Sequence, residues 1–309
     1  KEENVSVYMR MPENEDIWDE LDIMFATSHG SVRRNKLSDF KNIRSNGLIA
    51  MKLGDGESLV SVKICKEDED IMLATRMGKA IRFPVTDIRV FSGRTSTGVR
   101  GIRLKQKDDE VISMSVLKHI DVTPDERNAY LKMASQVIGE DAEGMDVEDT
   151  DYELTQERFQ ELLDNEQVVL TISNKGFGKR TSAYEYRVSG RGGQGVANMA
   201  LTKKNGGAVV ATFPVTDSHQ IMLVTDGGQL IRTPVVNVRT TGRSAQGVTI
   251  FKVGADEQVV SVAWLVQEED DADDALGANP EDVAVKGDSD TEGAPQAEEA
   301  TEEPKPDAE

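Results

Sequence analysis

A fourfold internal repeat constrains this chain more than any other feature. DIMFATSHGSVRRNKL begins at Asp22 and DIMLATRMGKAIRFPV at Asp70. QVVLTISNKGFGKRTS begins at Gln167 and QIMLVTDGGQLIRTPV at Gln220. Each copy carries a turn glycine (Gly30, Gly78, Gly176, Gly228) and, four residues on, an arginine (Arg34, Arg82, Arg180, Arg232). A second glycine recurs further along (Gly47, Gly98, Gly195, Gly247), each leading an apolar hexamer: LIAMKL, VRGIRL, VANMAL and VTIFKV. The steps between these glycines are 51, 97 and 52 residues. The unit is therefore about fifty residues long, a period that points to a repeat architecture, and the double step conceals an insertion of nearly one unit.

Within a unit the apolar runs are short, rich in Val, Ile, Leu and Met, and bounded by Gly, Asp and Asn, which is the signature of strands. In the first copy they fall at about 22–27, 31–36, 48–53 and 58–64. SHG, RMG and DGG read as tight hairpins whose glycine takes positive φ. Four strands per fifty residues, in tandem, predict an all-β chain of propeller-like four-stranded blades. Two blades are expected over 22–117 and two over 167–265. Residues 1–21 read as the end of a preceding blade and a linker, since ENVSVYM resembles the last strand of the other units. The chain is therefore expected to be a piece of a protein with further blades upstream.

Residues 118–166 form the insertion. Thr123-Pro124-Asp125-Glu126 is a capping box with proline at the first helical position, predicting a helix to about Ile138 that ends at Gly139. A second helix is expected over TQERFQELLD, with Phe159, Leu162 and Leu163 on one face. Residues 266–309 are Asp, Glu, Ala, Gly and Pro, too polar to offset their ordering entropy, so a disordered tail is expected.

The formal charge of −20 is unevenly spread. The tail contributes −15 and the insertion −11, leaving +6 for the remainder. A mildly basic body beside acidic segments suits a nucleic-acid surface. Mean hydropathy is −0.46; no run is long and apolar enough to read as a membrane span, and the first residues, KEENVSVYMR, do not read as a signal peptide. One cysteine forbids an intrachain disulfide and suits the cytoplasm. The three histidines (His29, His119, His219) lack ligand spacing, so no metal site is expected.

GRGGQG at Gly190–Gly195 fits the G-x-G-x-x-G dinucleotide fingerprint. Its counterparts are GRTSTG at Gly93–Gly98 and GRSAQG at Gly242–Gly247. What repeats is G-R-x-x-x-G, and strands rather than a helix follow, so the fingerprint is coincidental. Unit one has NIRSNG at this point, with Arg44 in a shorter loop. No phosphate-binding loop, zinc-protease motif or nucleophile signature occurs, so no catalytic residue is expected. The acidic runs at 13–22 and 67–70 read as solvated turns, and Trp18-Asp19 is a lone dipeptide outside the repeat.

The recurring cations are the candidate site: Arg34, Arg82, Arg180 and Arg232 on the second strands, Arg44, Arg94, Arg191 and Arg243 in the loops, with Arg100 and Lys179 beside them. A band of charge spaced by blade, poor in aromatic stacking platforms, suits a duplex phosphate backbone bound without sequence specificity. Glycines beside each arginine offer main-chain N–H donors to phosphate. About eight contacts would give a salt slope near −7, against a bending cost of about 1–6 kcal/mol per site. The acidic tail is expected to compete for this band, so removing it should tighten DNA binding.

DIMLATRMGKAIRFPVTDIRVFSGRTSTGVRGIRL and QIMLVTDGGQLIRTPVVNVRTTGRSAQGV resemble the C-terminal domain of the DNA gyrase A subunit, over roughly 22–117 and 167–265. That resemblance implies a β-pinwheel, a propeller-like ring with exchanged strands, that wraps duplex DNA on a basic rim. It also implies a cytoplasmic, chromosome-associated parent, a bacterial type II topoisomerase that introduces negative supercoils. The remaining parts of the gyrase A subunit, together with the gyrase B subunit, would complete a heterotetramer, with ATP and Mg bound elsewhere and no cofactor in this chain. The family's box, Q-R-R-G-G-K-G, is matched at four of seven positions by SGRGGQG at Ser189–Gly195, so the box itself is expected upstream. The 118–166 insertion is outside the common pattern. The C-terminal domain of the topoisomerase IV A subunit, which also bends DNA, and a protein-interaction propeller are the alternative readings.

Overall fold

A computed structural model describes residues 5–266 apart from 44, 46, 139–143, 146 and 149. The expected acidic tail lies outside the described residues, as does part of the linker between the two helices. Unit one supplies β1 (Asp22–Thr27), β2 (Ser31–Lys36) and β3 (Leu59–Cys65). Unit two supplies β4 (Glu69–Thr75), β5 (Lys79–Pro84), β6 (Val99–Arg100) and β7 (Val111–Lys118). After α1 (Pro124–Ile138) and α2 (Gln156–Asp164), unit three supplies β8 (Val168–Ser173), β9 (Phe177–Ser182), β10 (Val196–Ala197) and β11 (Val209–Val215). Unit four supplies β12 (His219–Thr225), β13 (Leu230–Pro234), β14 (Val248–Thr249) and β15 (Val259–Val266).

The sheets do not coincide with the units. Their orders are β3-β1-β2-β6, β10-β5-β4-β7, β11-β8-β9-β14 and β13-β12-β15. All pairings between these strands are antiparallel. The short strand after each G-R-x-x-x-G loop leaves its own unit and completes the blade before it. Thus β6 joins blade one through Ser31↔Arg100, β10 joins blade two through Val196↔Ala80, and β14 joins blade three through Val248↔Gly178. Blade four has three strands among the described residues. Residues 48–53, expected as a strand, form none. The reason is the exchange: this segment's counterparts pair only with a preceding blade.

Four blades form a propeller-like arrangement. The inner strands β3, β7, β11 and β15 contact one another in sequence and line a cavity of about 770 Å³, with Lys63, Ser115, Thr212 and Ala263 among its walls. The core lies between blades. Met24, Val32, Leu73, Ile81 and Phe83 from the first two blades are buried in one cluster, and Leu170, Ile172, Ile221 and Leu223 from the last two in another. Residues 5–10 form no strand; Met9 and Met11 instead pack with Trp18, Phe25 and Phe40 in a cluster of blade one separate from the one it shares with blade two. Trp18 is buried and donates its indole N–H to the Pro12 carbonyl at 3.1 Å.

The capping box forms as expected: Glu126 N–H donates to Thr123 Oγ1 at 3.2 Å, and Thr123 N–H to Glu126 Oε2 at 2.9 Å. The two helices meet through Tyr130 and Phe159, ring centroids 5.3 Å apart. They dock on blade three through Tyr184, whose hydroxyl donates to the Leu162 carbonyl at 2.9 Å. Leu162 is buried, whereas Leu163, expected on the same face, is 39% exposed.

Candidate nucleic-acid interface

The exchange depends on glycine at both ends of the incoming strand. Gly78 has φ +72°, and a Cβ there would lie 2.6 Å from the Met199 carbonyl oxygen of unit three. Gly195, φ +69°, leads that same strand, and a Cβ there would lie 2.4 Å from the Ala80 carbonyl oxygen. Neither position admits a side chain, for reasons of space and of handedness. Gly30 with Gly98 and Gly176 with Gly247 repeat the arrangement, all at positive φ. Gly47 and Gly228 also have positive φ, but a Cβ on either would meet nothing within 4 Å among the described residues.

The strand arginines are stitches between blades. Arg34 donates from Nε and Nη2 to Asp22 Oδ2, at 2.9 and 2.6 Å, and from Nη1 to the Ile88 carbonyl of the next unit at 3.2 Å. It also pairs with Glu67. Arg82 donates from Nε to Asp70 Oδ2 at 2.8 Å, and from Nη1 to the Ala183 carbonyl of unit three at 2.9 Å. In unit three valine stands where the aspartate would be. Arg180 therefore reaches Asp217, at 2.8 Å, while its Nε donates to the Val238 carbonyl at 2.6 Å. Arg232 bonds Gln220 and is exposed.

These contacts correct two expectations. Arg34 and Arg82 are 3% and 5% exposed, so they are buried ion-pair residues rather than surface cations. Their partners Asp22 and Asp70 are fully buried, not solvated turn residues. Lys179 is corrected likewise: it is buried, with Nζ donating to the Gly242 carbonyl at 2.6 Å. Burial takes its ammonium down to about 7, although nearby Glu185 opposes the shift.

The three described loop arginines each donate to the main chain of the preceding unit. Arg94 Nη1 reaches the Asp39 carbonyl at 2.7 Å and is half-buried. Arg243 Nη1 reaches the Ala197 carbonyl at 3.1 Å, but Arg243 is 9% exposed, which removes it from the open surface. Arg191 is exposed and anchored three ways: N–H to Asp87 Oδ2 at 3.2 Å, Nε to the Asp87 carbonyl and Nη1 to the Arg100 carbonyl, both at 3.0 Å. Arg100 is itself exposed, and Arg103, also exposed, donates its N–H to the Gly193 carbonyl at 2.8 Å. Arg100, Arg103 and the Arg191 loop therefore adjoin at the sheet edges farthest from the central cavity. Arg44 lies outside the described residues.

Besides Arg103, three more arginines escaped the sequence reading. Arg89, Arg187 and Arg239 are exposed and immediately precede the residues that bridge each stitch: Arg34↔Val90, Arg82↔Val188 and Arg180↔Thr240. Arg89 lies over the Phe91 ring at 4.2 Å. Arg187 borders a recess of about 410 Å³ whose other walls include Ser189, Gly190 and Gly193–Val196. Their sequence signal was a second arginine four or five residues ahead of each loop arginine, as in RVFSGR, RVSGR and RTTGR. Among the described residues, no group of three or more His, Cys, Asp or Glu could hold a metal ion. No helix among them is long and apolar enough to cross a membrane.

Residues 21–66, 69–118, 167–216 and 219–263 match the family "DNA gyrase C-terminal domain, beta-propeller". The chain is 48% identical over 307 residues to the DNA gyrase A subunit of Granulibacter bethesdensis, covering 93% of this chain and 33% of that protein. It is 46% identical to the DNA gyrase A subunit of Rickettsia bellii, covering 93% and 32%. It thus spans about a third of the length of these relatives. A solved DNA gyrase A C-terminal domain superposes with a TM-score of 0.59 at 22% identity, over 82% of this chain and 68% of that one. The C-terminal domain of DNA topoisomerase IV gives 0.61 at 18%, over 82% and 64%. At such identities both likenesses speak for the fold alone.

Proposed function

The chain belongs to the DNA gyrase C-terminal domain family, and from that premise we propose that it binds duplex DNA along the outer edges of its blades and bends it there. The observation that carries this reading is the set of exposed arginines at those edges. Arg100 and Arg191 are the best-defined members, since Arg191 is fixed to the main chain beside Arg100 before any ligand arrives. A guanidinium already held in place loses less freedom on meeting a phosphate than a freely rotating one. Arg89, Arg103, Arg187, Arg232 and Arg239, with the half-buried Arg94, extend the band from blade to blade. Nothing in these loops is a base-reading helix, so contacts fall on the backbone and binding is insensitive to sequence.

The buried stitches Arg34 and Arg82 have a different part: they fix the angle between blades, and so the curvature offered to DNA. Within a whole gyrase A subunit this domain would wrap the segment that ATP-driven strand passage then supercoils. ATP and Mg would be held by other parts of the enzyme, the gyrase B subunit would complete the assembly, and the site of action would be the cytoplasmic chromosome. The named relatives favour gyrase over topoisomerase IV.

Closing nicked circular DNA with ligase in the presence of the chain tests the proposal. A shift in linking number that grows with protein and vanishes at high salt is expected. Salt-sensitive binding to linear duplex with no change in linking number would contradict the bending, and no binding at all would contradict the whole reading.

A further inference from the structure

The residue before the stitching arginine is Arg33, Ile81, Lys179 and Ile231 in the four units. In blades one and three it is a buried cation that holds the incoming loop from beneath. Arg33 Nη1 donates to the Ser96 carbonyl at 2.6 Å, and Lys179 Nζ to the Gly242 carbonyl at 2.6 Å. Two residues on, a second donor grips the same point of each loop: Asn35 Nδ2 donates to the Phe91 carbonyl at 2.8 Å, and Thr181 Oγ1 to the Thr241 carbonyl at 3.0 Å. Blade two has Ile81 and Phe83 at these positions, both buried and apolar. The loop it receives, Gly190–Gly195, therefore gains no donor from either.

The space left under that loop is the recess of about 410 Å³ beside Arg187. Ile81 lies beneath Gly193, where an added Cβ would sit 3.5 Å from Ile81 Cδ1; at Gly190 it would meet nothing within 4 Å. Glycine at 190, 193 and 195 leaves the main chain bare along this wall. None of the described residues lining the recess is acidic. Asp87, the carboxylate bonded to this loop, is not among them and accepts the Arg191 N–H at 3.2 Å. Arg82 lines the recess but has its guanidinium engaged by Asp70. Arg187 and Gln194 are exposed, so a guanidinium and a side-chain amide stand at the opening. A guanidinium, an amide and bare glycine main chain, without a carboxylate, suit an oxyanion.

Resting on the DNA-binding reading above, we infer that this recess is a seat for one phosphate group of the duplex backbone, held between Arg187 and the Gly190–Gly195 main chain. The loops of units two and four, plugged from beneath by Arg33 and Lys179, meet DNA with their outer surface only. Phosphate contacts set the register of a duplex, so the register is set at blade two.

The test uses the 309-residue chain, a fluorescein-labelled linear duplex and a salt series. Gly193→Leu fills the recess and removes no charge; Arg187→Gln removes the cation at its opening. Each should bind duplex about three- to tenfold more weakly at low salt, with a salt slope shallower by about 1, because one phosphate contact is lost. The double variant should bind no more weakly than the weaker single one, since both changes abolish the same contact. Ser96→Leu, at the equivalent point of the loop that Arg33 plugs, should bind like the parent chain. Thermal melting establishes that the blades remain folded, and Gly190→Leu, on the same wall, replaces Gly193→Leu if that variant melts early. If the parent chain binds with a salt slope and the filled recess changes neither affinity nor slope, or Ser96→Leu weakens binding as much, the inference is wrong and the DNA-binding reading stands. If the parent chain does not bind duplex, that reading fails. Titration with inorganic phosphate, followed at the Gly190–Gly195 amide resonances, then decides whether the recess takes free phosphate, and no shift overturns the seat as well.

Discussion

Arg82 Nε lies 2.8 Å from Asp70 Oδ2, with 5% and 0% of the two side chains exposed. The same guanidinium reaches across to Ala183 in the next blade. A pair this deep is expensive to break from one side, because Asp70 then keeps only the partly exposed His119 ring, 2.8 Å away, as a partner in a low-dielectric setting. Arg82→Met should therefore lower unfolding free energy by about 3–5 kcal/mol, read from urea denaturation. Arg100→Ala, on the exposed edge, should stay within about 0.5 kcal/mol. Equal effects from the two would contradict the division between stitching and surface arginines.

Gly78 and Gly228 occupy equivalent turns, but only Gly78 has an incoming strand against it. Gly228→Ala should cost about 1–2 kcal/mol, the penalty for a left-handed backbone. Gly78→Ala adds displacement of the Met199 carbonyl and should cost distinctly more. Paired thermal melts check this, and a Gly78→Ala effect no larger than that of Gly228→Ala would argue against the strand exchange.

Lys179 gives a pH signature. Its ordinary value is about 10.4, and in the fold burial lowers it to about 7. Between those values the unfolded chain binds more protons, so stability should rise as pH increases from 7. Lys179→Met should remove that rise. The comparison belongs between pH 7 and about 8.5, because burial pushes the Cys65 thiol up to about 12. That shift makes stability fall with pH only above the ordinary thiol range near 8.5. Denaturation midpoints of both proteins at several pH values decide it. Parallel curves would mean that Lys179 stays charged in the fold.

Much of this molecule was legible in its repeats. The paired glycines fixed the unit length, the turns and the coincidental nature of GRGGQG, and Thr123–Glu126 announced α1. Which blade a strand joins was not legible from local pattern, because pairing with a neighbour leaves no mark on the strand's own alternation. LIAMKL therefore looked like a strand of unit one although it pairs with nothing in that unit. The arginines misled for a similar reason. An arginine alternating with apolar residues reads the same on a solvated edge as over a buried carboxylate. The missing clue was Asp22 twelve residues before Arg34, and Asp70 twelve before Arg82, a spacing that an antiparallel hairpin brings side by side. Arg89, Arg187 and Arg239 were obscured because their distance to the loop arginine varies between units.

The most direct measurement is the salt dependence of duplex binding by the variant R89A/R100A/R187A/R191A, compared with the parent chain. Each phosphate contact contributes about 0.9 to the slope of log K against log salt. If the exposed edge arginines hold the DNA, the slope should become shallower by about 3–4, equally for unrelated sequences and with unchanged thermal stability. A slope and affinity identical to those of the parent chain would contradict the account.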